Sequence, residues 1–530
     1  MLRETWWQRA IIYQIYPRSF QDSDGDGVGD LPGITRRLRY LVDLGVDALW
    51  LSPVFTSPMR DFGYDIVDYC AIDPLFGSMQ DFDELLEAAH SYGLKLLLDL
   101  VPNHTSSQHP WFIESRSSRR SPKRNWYLWR DPAPDGGLPN NWLSEFGGSA
   151  WAFDEASGQY YYHAFLASQP DLNWRNPHVR EAIHNVMRYW LRKGVDGFRI
   201  DVLWHLIKDD QFRDNPINPE FKEGQPPHWK VLPLYTTDRP EVHEVVAGLR
   251  KVADEFDDCL LIGEIYLPPK RLVAYYGKDL EGVHLPFNFG LLETNWHARK
   301  IAELIDEYEG ALPAGSWPNW VLGNHDRPRI ATRVGDAQAR VAAMLLLTLR
   351  GTPTIYYGDE IGMTDAEVPA GLVCDPLGKS VPALGRDGAR SPMRWDGSRF
   401  GGFSETSPWC LCPDEGPPNV TEEESNQASM LALYKRLIRA RRHNPALTIG
   451  SYHPLVATGD VLLFRRSHPG CPSVMTALNL GDQPAAAILE GIRSRGRVIV
   501  STLAADRDGE AVKDEIDLRP HEGLLIELLA

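Results

Sequence analysis

The chain has 530 residues, 43% hydrophobic and 24% charged, the profile of an ordinary globular protein large enough for a barrel with one or two smaller units. Its formal net charge of -17 argues against nucleic acid or an anionic membrane as the main partner and fits a neutral substrate, although solubility alone accounts for it as well. No apolar run is long enough to span a bilayer.

Ile11 to Tyr16 is an apolar run, followed by a helical face of Ile34, Leu38, Leu41 and Val42 that Gly45 stops. Val46 to Leu51 is the next strand. Asp81, with Glu84 three residues on, reads as a capping box. Phe82, Leu85, Leu86 and Ala89 form the inner face of the helix it starts, and Gly93 ends it. Leu94 to Val101 is a third strand. This β-α-β-α-β rhythm predicts a parallel sheet with right-handed crossovers.

From Asn103 to Asn173 the rhythm gives way to Ser-, Pro-, Gly-, Asn- and Trp-rich sequence. The stretch is too long for a structureless loop, so an inserted subdomain is expected. An amphipathic helix from His178 to Arg192 restores the pattern, then a strand ending at Asp201. A second excursion, His205 to Arg239, carries several prolines. Strands follow at Leu260 to Gly263, Gly282 to Pro286, Trp320 to Gly323 and Thr354 to Tyr357, with an all-round apolar helix at Ala339 to Leu349. Pro- and Gly-rich sequence from Val368 to Pro418 covers the barrel's end, and a helix runs from Met430 to Arg442. Short β-like runs then appear at Val461 to Arg465, Val474 to Leu478, Arg497 to Ser501 and Leu524 to Leu528. The expected fold is α/β: a (β/α)8 TIM barrel in two parts, 1–102 and 174–446, with an inserted subdomain after strand 3 at 103–173 and a C-terminal antiparallel β-sandwich at 447–530.

Met1 to Gln14 lacks the basic stretch and apolar core of an export signal. Six cysteines, at 70, 259, 374, 410, 412 and 471, form no C-x-x-C pair. Reduced thiols in the cytoplasm are therefore expected.

Asp201, Glu264 and Asp326 each end a short apolar run: Gly197-Phe198-Arg199-Ile200-Asp201, Leu260-Leu261-Ile262-Gly263-Glu264 and Val321-Leu322-Gly323-Asn324-His325-Asp326. Acids at the exits of several parallel strands meet at the C-terminal end of a barrel. Gathered there, they repel and shift one another's protonation. Cleaving a sugar acetal needs such a set, one carboxylate to attack and one carboxylic acid to protonate the leaving oxygen.

The segment from Asp22 to Asp30 reads D-S-D-G-D-G-V-G-D. Oxygen ligands at alternate positions, with glycines for a sharp turn, suit a hard divalent cation. Asp22, Asp24, Asp26 and Asp30 would offer carboxylates and Val28 its carbonyl; a solvated acidic turn is the plain alternative. Gly33 stands where an EF-hand has its glutamate, so the loop is EF-like only. A structural calcium ion is expected, magnesium being the other candidate, and no organic cofactor.

Asp99-Leu100-Val101-Pro102-Asn103-His104, Gly197-Phe198-Arg199-Ile200-Asp201, Gly263-Glu264-Ile265 and Asn324-His325-Asp326 resemble, in order, the four signature segments of the α-amylase superfamily of glycoside hydrolases. Gln169-Pro170-Asp171-Leu172-Asn173-Trp174 and the run from Gly351 to Glu360 look like its further motifs. Asp61-Phe62-Gly63-Tyr64-Asp65 and Gly385-Arg386-Asp387 resemble the α-glucosidase and oligo-1,6-glucosidase branch, where the metal loop is also found.

The resemblance implies that Asp201 is the nucleophile, that Arg199 keeps it ionised, and that Glu264 is the general acid and then base. It implies that Asp326 holds the 2- and 3-hydroxyls and that His325 and His104 donate to ring hydroxyls. Asp61 and Arg386 would clamp the 4-hydroxyl of a terminal glucose, Tyr64 would stack beneath the ring, and Phe165 and Phe146 would wall the pocket. Ordinary packing remains open for both phenylalanines. Val202 after the nucleophile accompanies α-1,6 cleavage in this branch, or simply fills the barrel. The long excursion resembles loops that narrow the acceptor side, which could favour transglucosylation.

The expected activity is thus that of a retaining, exo-acting α-glucosidase on small α-glucosides, as a monomer or small homo-oligomer. A transglucosylase or a sucrose-isomer-processing enzyme is the alternative on the same scaffold. A catalytically inactive binding or transporter-associated relative is the alternative of another class, disfavoured by the intact acid trio.

Overall fold

The structure, a computed structural model, describes residues 5–411, 418–488, 495–503 and 505–529. Met1 to Glu4 and Cys412 of the sequence reading lie outside them; the cysteines at 70, 259, 374, 410 and 471 are free thiols.

Eight short strands run β1 (Ile12–Ile15), β2 (Ala48–Leu51), β3 (Lys95–Leu100), β4 (Gly197–Ile200), β5 (Leu260–Gly263), β6 (Leu285–Pro286), β7 (Asn319–Val321) and β8 (Thr352–Tyr356). They form one parallel sheet in the order β6-β5-β4-β3-β2-β1-β8-β7, which is chain order around a nearly closed barrel whose two edges are β6 and β7. Strand parity separates two cores. Ile12, Ala48, Trp50, Leu97, Leu260, Ile262 and Val321 fill the inside. Tyr13, Leu49, Leu51, Leu98 and Leu261 face the helices. Strands buried on both faces read as unbroken apolar runs, which is why they stand out in the sequence.

The helix Leu31–Leu44 starts at Asp30, whose carboxylate accepts the Gly33 N–H, and ends at Gly45, which adopts the left-handed φ of 99° that its C-cap needs. The next helix, Met79–Ser91, corrects the sequence reading by one turn. Its cap is Ser78, and Asp81 is the third-position partner that reaches back to the Ser78 N–H. The serine hydroxyl, placed before the first turn, is free to meet the Asp81 N–H, whereas Asp81 already lies within that turn.

Between β3 and β4 the insert contributes a helix, Pro110–Arg116, and a three-stranded antiparallel sheet of Trp129–Arg130, Gln159–Tyr162 and Trp151–Asp154. A buried lysine ties it down: Lys208 Nζ donates to Asn103 Oδ1 (2.7 Å) and Asp171 Oδ2 (2.5 Å). The second excursion follows the 3-10 turn Leu203–His205, holds another at Pro227–Lys230, and packs Phe212 on Trp142 of the insert at 5.4 Å.

The apolar helix Asp336–Thr348 lies between the barrel and the C-terminal strands. Its last carbonyls are met by buried arginines, Arg441 at Leu347 and Arg466 at Thr348. The C-terminal unit is a sandwich made by one eight-stranded antiparallel sheet curled over Leu463, Met475, Val498, Ile516 and Ile526. Four of its strands are absent from the sequence reading: Ser451–Thr458, Ala485–Ile488, Ala511–Lys513 and Glu515–Leu518. Among the described residues no helix is long and apolar enough to cross a membrane.

Candidate active site

Residues two apart on a strand share a face, so the Arg199-Ile200-Asp201 segment at the end of β4 sends Arg199 and Asp201 the same way. Arg199 Nη1 donates to Asp201 Oδ1 (2.8 Å) and to Asp99 Oδ1 (2.8 Å) from the end of β3. Its Nη2 meets Glu264 Oε2, just past β5, at 2.7 Å. One guanidinium, 1% exposed, thus gathers three carboxyls from three neighbouring strands. The chain leaves β4 through Val202 at φ 37°, ψ 47°, a left-handed conformation that a β-branched residue adopts only under strain of about 1–3 kcal/mol. That turn aims the Val202 N–H at Glu264 Oε2, 2.9 Å away.

Burial raises the pKa of Asp201 well above the carboxylate range, against the pull of Arg199 and with repulsion from Glu264, Asp99 and Asp326 added. Burial likewise raises Glu264, again opposed by Arg199 and with repulsion from Asp326 added. Asp99 is pushed to about 6 by burial. One positive charge beside three buried carboxyls leaves Asp201 and Glu264 harder to ionise than free carboxyls.

A second cluster faces this one. Arg386 Nη2 meets Asp61 Oδ1 (2.9 Å) and Asp375 Oδ1 (2.7 Å), while its Nη1 meets Asp326 Oδ1 (3.0 Å). Gln169 donates to the other Asp61 oxygen at 3.0 Å. Arg390 Nη2 also reaches Asp326 Oδ1 (2.9 Å). Burial works against ionising Asp326, but His325, Arg386 and Arg390 override it and hold the group well below the usual range. Because burial keeps His325 neutral, the two arginines supply that charge at neutral pH.

Gln14 donates to His325 Nδ1 (2.9 Å), which leaves Nε2–H to donate to Tyr64 Oη (2.6 Å). The Tyr64 hydroxyl donates in turn to Asp99 Oδ2 (3.1 Å), and its ring stacks on His325 at 5.3 Å. His104 donates Nε2–H to the Tyr64 carbonyl (3.0 Å) and packs on Phe165 at 5.1 Å. Phe146 lies 5.4 Å from the Arg386 guanidinium carbon.

The proposed catalytic and sugar-contacting residues therefore gather at one barrel end. Asp375, Arg390 and Gln14 were not singled out by sequence. Arg390 is one helical turn beyond Arg386, a spacing that could have found it; Asp375 sits in aperiodic sequence that offers no signal. A wall of Trp204, Tyr266 and Phe289 also escaped notice, with Tyr266 stacked on Phe289 at 4.1 Å and Arg327 5.1 Å above the Tyr266 ring.

In the acidic loop, carboxyl oxygens of Asp22, Asp24 and Asp30 lie within 4.8 Å of one another. Asp26 stands apart from that group and accepts the Val28 N–H at 2.7 Å. The loop closes tightly: a Cβ at Gly27 would fall 2.4 Å from the Ser407 carbonyl oxygen. Three converging hard oxygen donors fit a divalent cation of the calcium type.

Residues 14–450 match the α-amylase catalytic domain. The chain belongs to the α-amylase family. It is 44% identical over 498 residues to a protein named "probable alpha-glucosidase" from Rhizobium meliloti (strain 1021), covering 91% of this chain and 90% of that one. It is 39% identical over 562 residues to an oligo-1,6-glucosidase from Halalkalibacterium halodurans, covering 98% of each. The crystal structure of an α-glucosyl transfer enzyme superposes with a TM-score of 0.93 at 39% identity, covering 99% of this chain and all of the other. This α-amylase family member is a glycoside hydrolase.

Proposed function

We propose that the protein is a retaining, exo-acting α-glucosidase that removes terminal glucose from short α-glucosides. The observation that carries the reading is the placing of Asp201 and Glu264 at opposite nitrogens of Arg199, both buried and both harder to ionise than a free carboxyl. An Asp201 oxygen attacks the anomeric carbon while Glu264 gives its proton to the departing glycosidic oxygen. The glucosyl ester then opens when Glu264 takes a proton from water and the hydroxyl adds to the anomeric carbon, releasing the Asp201 carboxylate. Asp326, fixed by Arg386 and Arg390, is placed to take the neighbouring ring hydroxyls. The Asp61–Arg386 pair closes the far end over the 4-hydroxyl, with His325, His104 and Tyr64 around the ring and Phe165 and Phe146 as its apolar wall.

The relatives' names support an α-glucosidase, and the likeness to a glucosyl transfer enzyme supports transfer as a side reaction. In that reaction a second sugar, resting on the Trp204–Tyr266–Phe289 wall, replaces water. Val202 favours α-1,6 bonds in this reading. In this reading Asp22, Asp24 and Asp30 hold a structural calcium ion, while Asp26 and Val28 shape the loop around it.

Proton NMR of the first turnovers tests the mechanism: α-glucose must appear before its β anomer, and Asp201→Asn must be inactive on the same disaccharide. First-formed β-glucose refutes retention, and an active Asp201→Asn variant refutes the nucleophile.

A further inference from the structure

Away from this site, the insert and the segment after β4 enclose a second cavity of about 420 Å³. Arg119, Arg124, Arg130, Arg175 and Lys208 line it, a concentration of positive charge in a chain of net charge -17. Three of these charges are already matched: Arg119 by Asp131, Arg175 by Glu241 and Lys208 by Asp171. Arg124 and Arg130 differ. Arg124 donates to the Ser115 carbonyl and the Gln159 amide oxygen, and Arg130 to the Asp210 carbonyl, all uncharged acceptors. The Nε atoms of both are buried with no acceptor.

Aromatic rings cover the flat faces of these two guanidiniums. Arg124 lies 3.5 Å from the Trp129 ring centre and Arg130 3.5 Å from that of Phe212. Stacking uses the faces, so the Nη hydrogens not given to Ser115, Gln159 and Asp210 remain in the plane for the oxygens of an anion. The acids nearby are mostly engaged elsewhere: Asp209 is bound by Nε and Nη2 of Arg213, Asp154 by Arg116 and Asp131 by Arg119, while Asp210 is exposed. Burial lowers both arginines, Arg124 to about 10, and the carboxylates of Asp154 and Asp131 at Arg124, and of Asp131 and Asp210 at Arg130, partly offset it.

We infer that this cavity is a binding site for a phosphate dianion, free or carried on a monosaccharide, held between Arg124 and Arg130. Its volume exceeds what phosphate alone needs and lies in the range of small-ligand sites. The cavity wall includes Leu206 to Asp210, directly after the turn that follows Asp201, and Lys208, which fastens the insert. A bound anion therefore bridges the insert to the segment that carries the acceptor-side wall, and stiffens both.

The test titrates the full chain with sodium phosphate, and separately with a hexose monophosphate, against sodium chloride at equal ionic strength, reading the thermal midpoint. A saturable rise with phosphate that chloride does not reproduce is expected. Tighter saturation by the hexose phosphate identifies the sugar-borne form, and equal saturation the free ion. Arg124→Gln and Arg130→Gln must each weaken binding about tenfold or more, the loss expected for one charge-assisted contact. Turnover of a chromogenic glucoside without phosphate should be unchanged in Arg130→Gln. Equal shifts from chloride, or unaltered affinity in either variant, overturn the inference. So does equilibrium dialysis of labelled phosphate that finds no binding to the wild-type protein at millimolar concentration, whatever the variants do.

Discussion

Asp375→Asn removes a charge that touches no sugar in the proposed reaction, yet its effect should be felt in substrate binding. Asp375 is fully buried, and its carboxylate accepts from the Arg386 backbone N–H (2.9 Å), Nε (3.1 Å) and Nη2 (2.7 Å). Asparagine keeps one acceptor oxygen and turns an NH2 group toward donors, so one or two charge-assisted bonds are lost at about 1.5–3 kcal/mol each. Asp61 and Asp326 still hold Arg386, so part of that loss is absorbed in the native packing. If about 2 kcal/mol reaches the clamp on the 4-hydroxyl, KM rises about 30-fold. The Asp201–Glu264 pair is untouched, so kcat should stay within about threefold. Steady-state kinetics on maltose and isomaltose, with near-UV circular dichroism as the folding control, decide it. An unchanged KM, or a loss confined to kcat, refutes the positioning role.

Glu264→Gln should cost about 10²–10⁴ in kcat on a disaccharide and far less on an aryl glucoside with a good leaving group, since only the former needs the proton. Both acids of the pair have raised pKa values, so the acid form persists to higher pH than in a free carboxyl and disappears as pH rises further. The alkaline fall in wild-type kcat/KM should therefore be missing from the variant's profile on the aryl glucoside. Asp359 is pushed to about 7 by burial, opposed by Arg329 and reinforced by Glu360. A raised carboxyl stabilises the fold at low pH and loses that contribution as pH climbs through the folded value. Asp359→Asn, which mimics the protonated form, should gain in thermal midpoint relative to wild type between pH 5 and pH 8; a constant difference contradicts this. Chelation should lower the thermal midpoint through the Asp22–Asp30 loop while leaving kcat at 25 °C unchanged, and added calcium should restore it.

What sequence conveyed and what it withheld follow from the range over which each feature is encoded. The barrel strands were legible because burial on two faces writes a local signal, four or five apolar residues in a row. The edge strand Ser451–Thr458 lacks such a signal, being mostly exposed or half-buried along its length. The capping of Met79–Ser91 slipped by one turn because Ser78 and Asp81 satisfy each other, and either could open a capping pattern in sequence. Asp201, Glu264 and Asp326 were found because each ends a strand, a local fact. The spacing of Arg199 and Asp201 also placed them on one face before any coordinates.

Sequence by itself thus determined the barrel, the acids at its mouth and the oxygen-rich loop, since periodicity and short motifs are written within a few neighbouring residues. The tertiary structure alone decided the electrostatics. Arg386 joins Asp61, 325 positions away, to Asp375 and Asp326. Arg199 draws Asp99 from 100 positions off. Whether a buried acid keeps or loses its proton depends on which charges the fold brings within a few ångströms and how much water it removes, and neither is a property of the chain read in order.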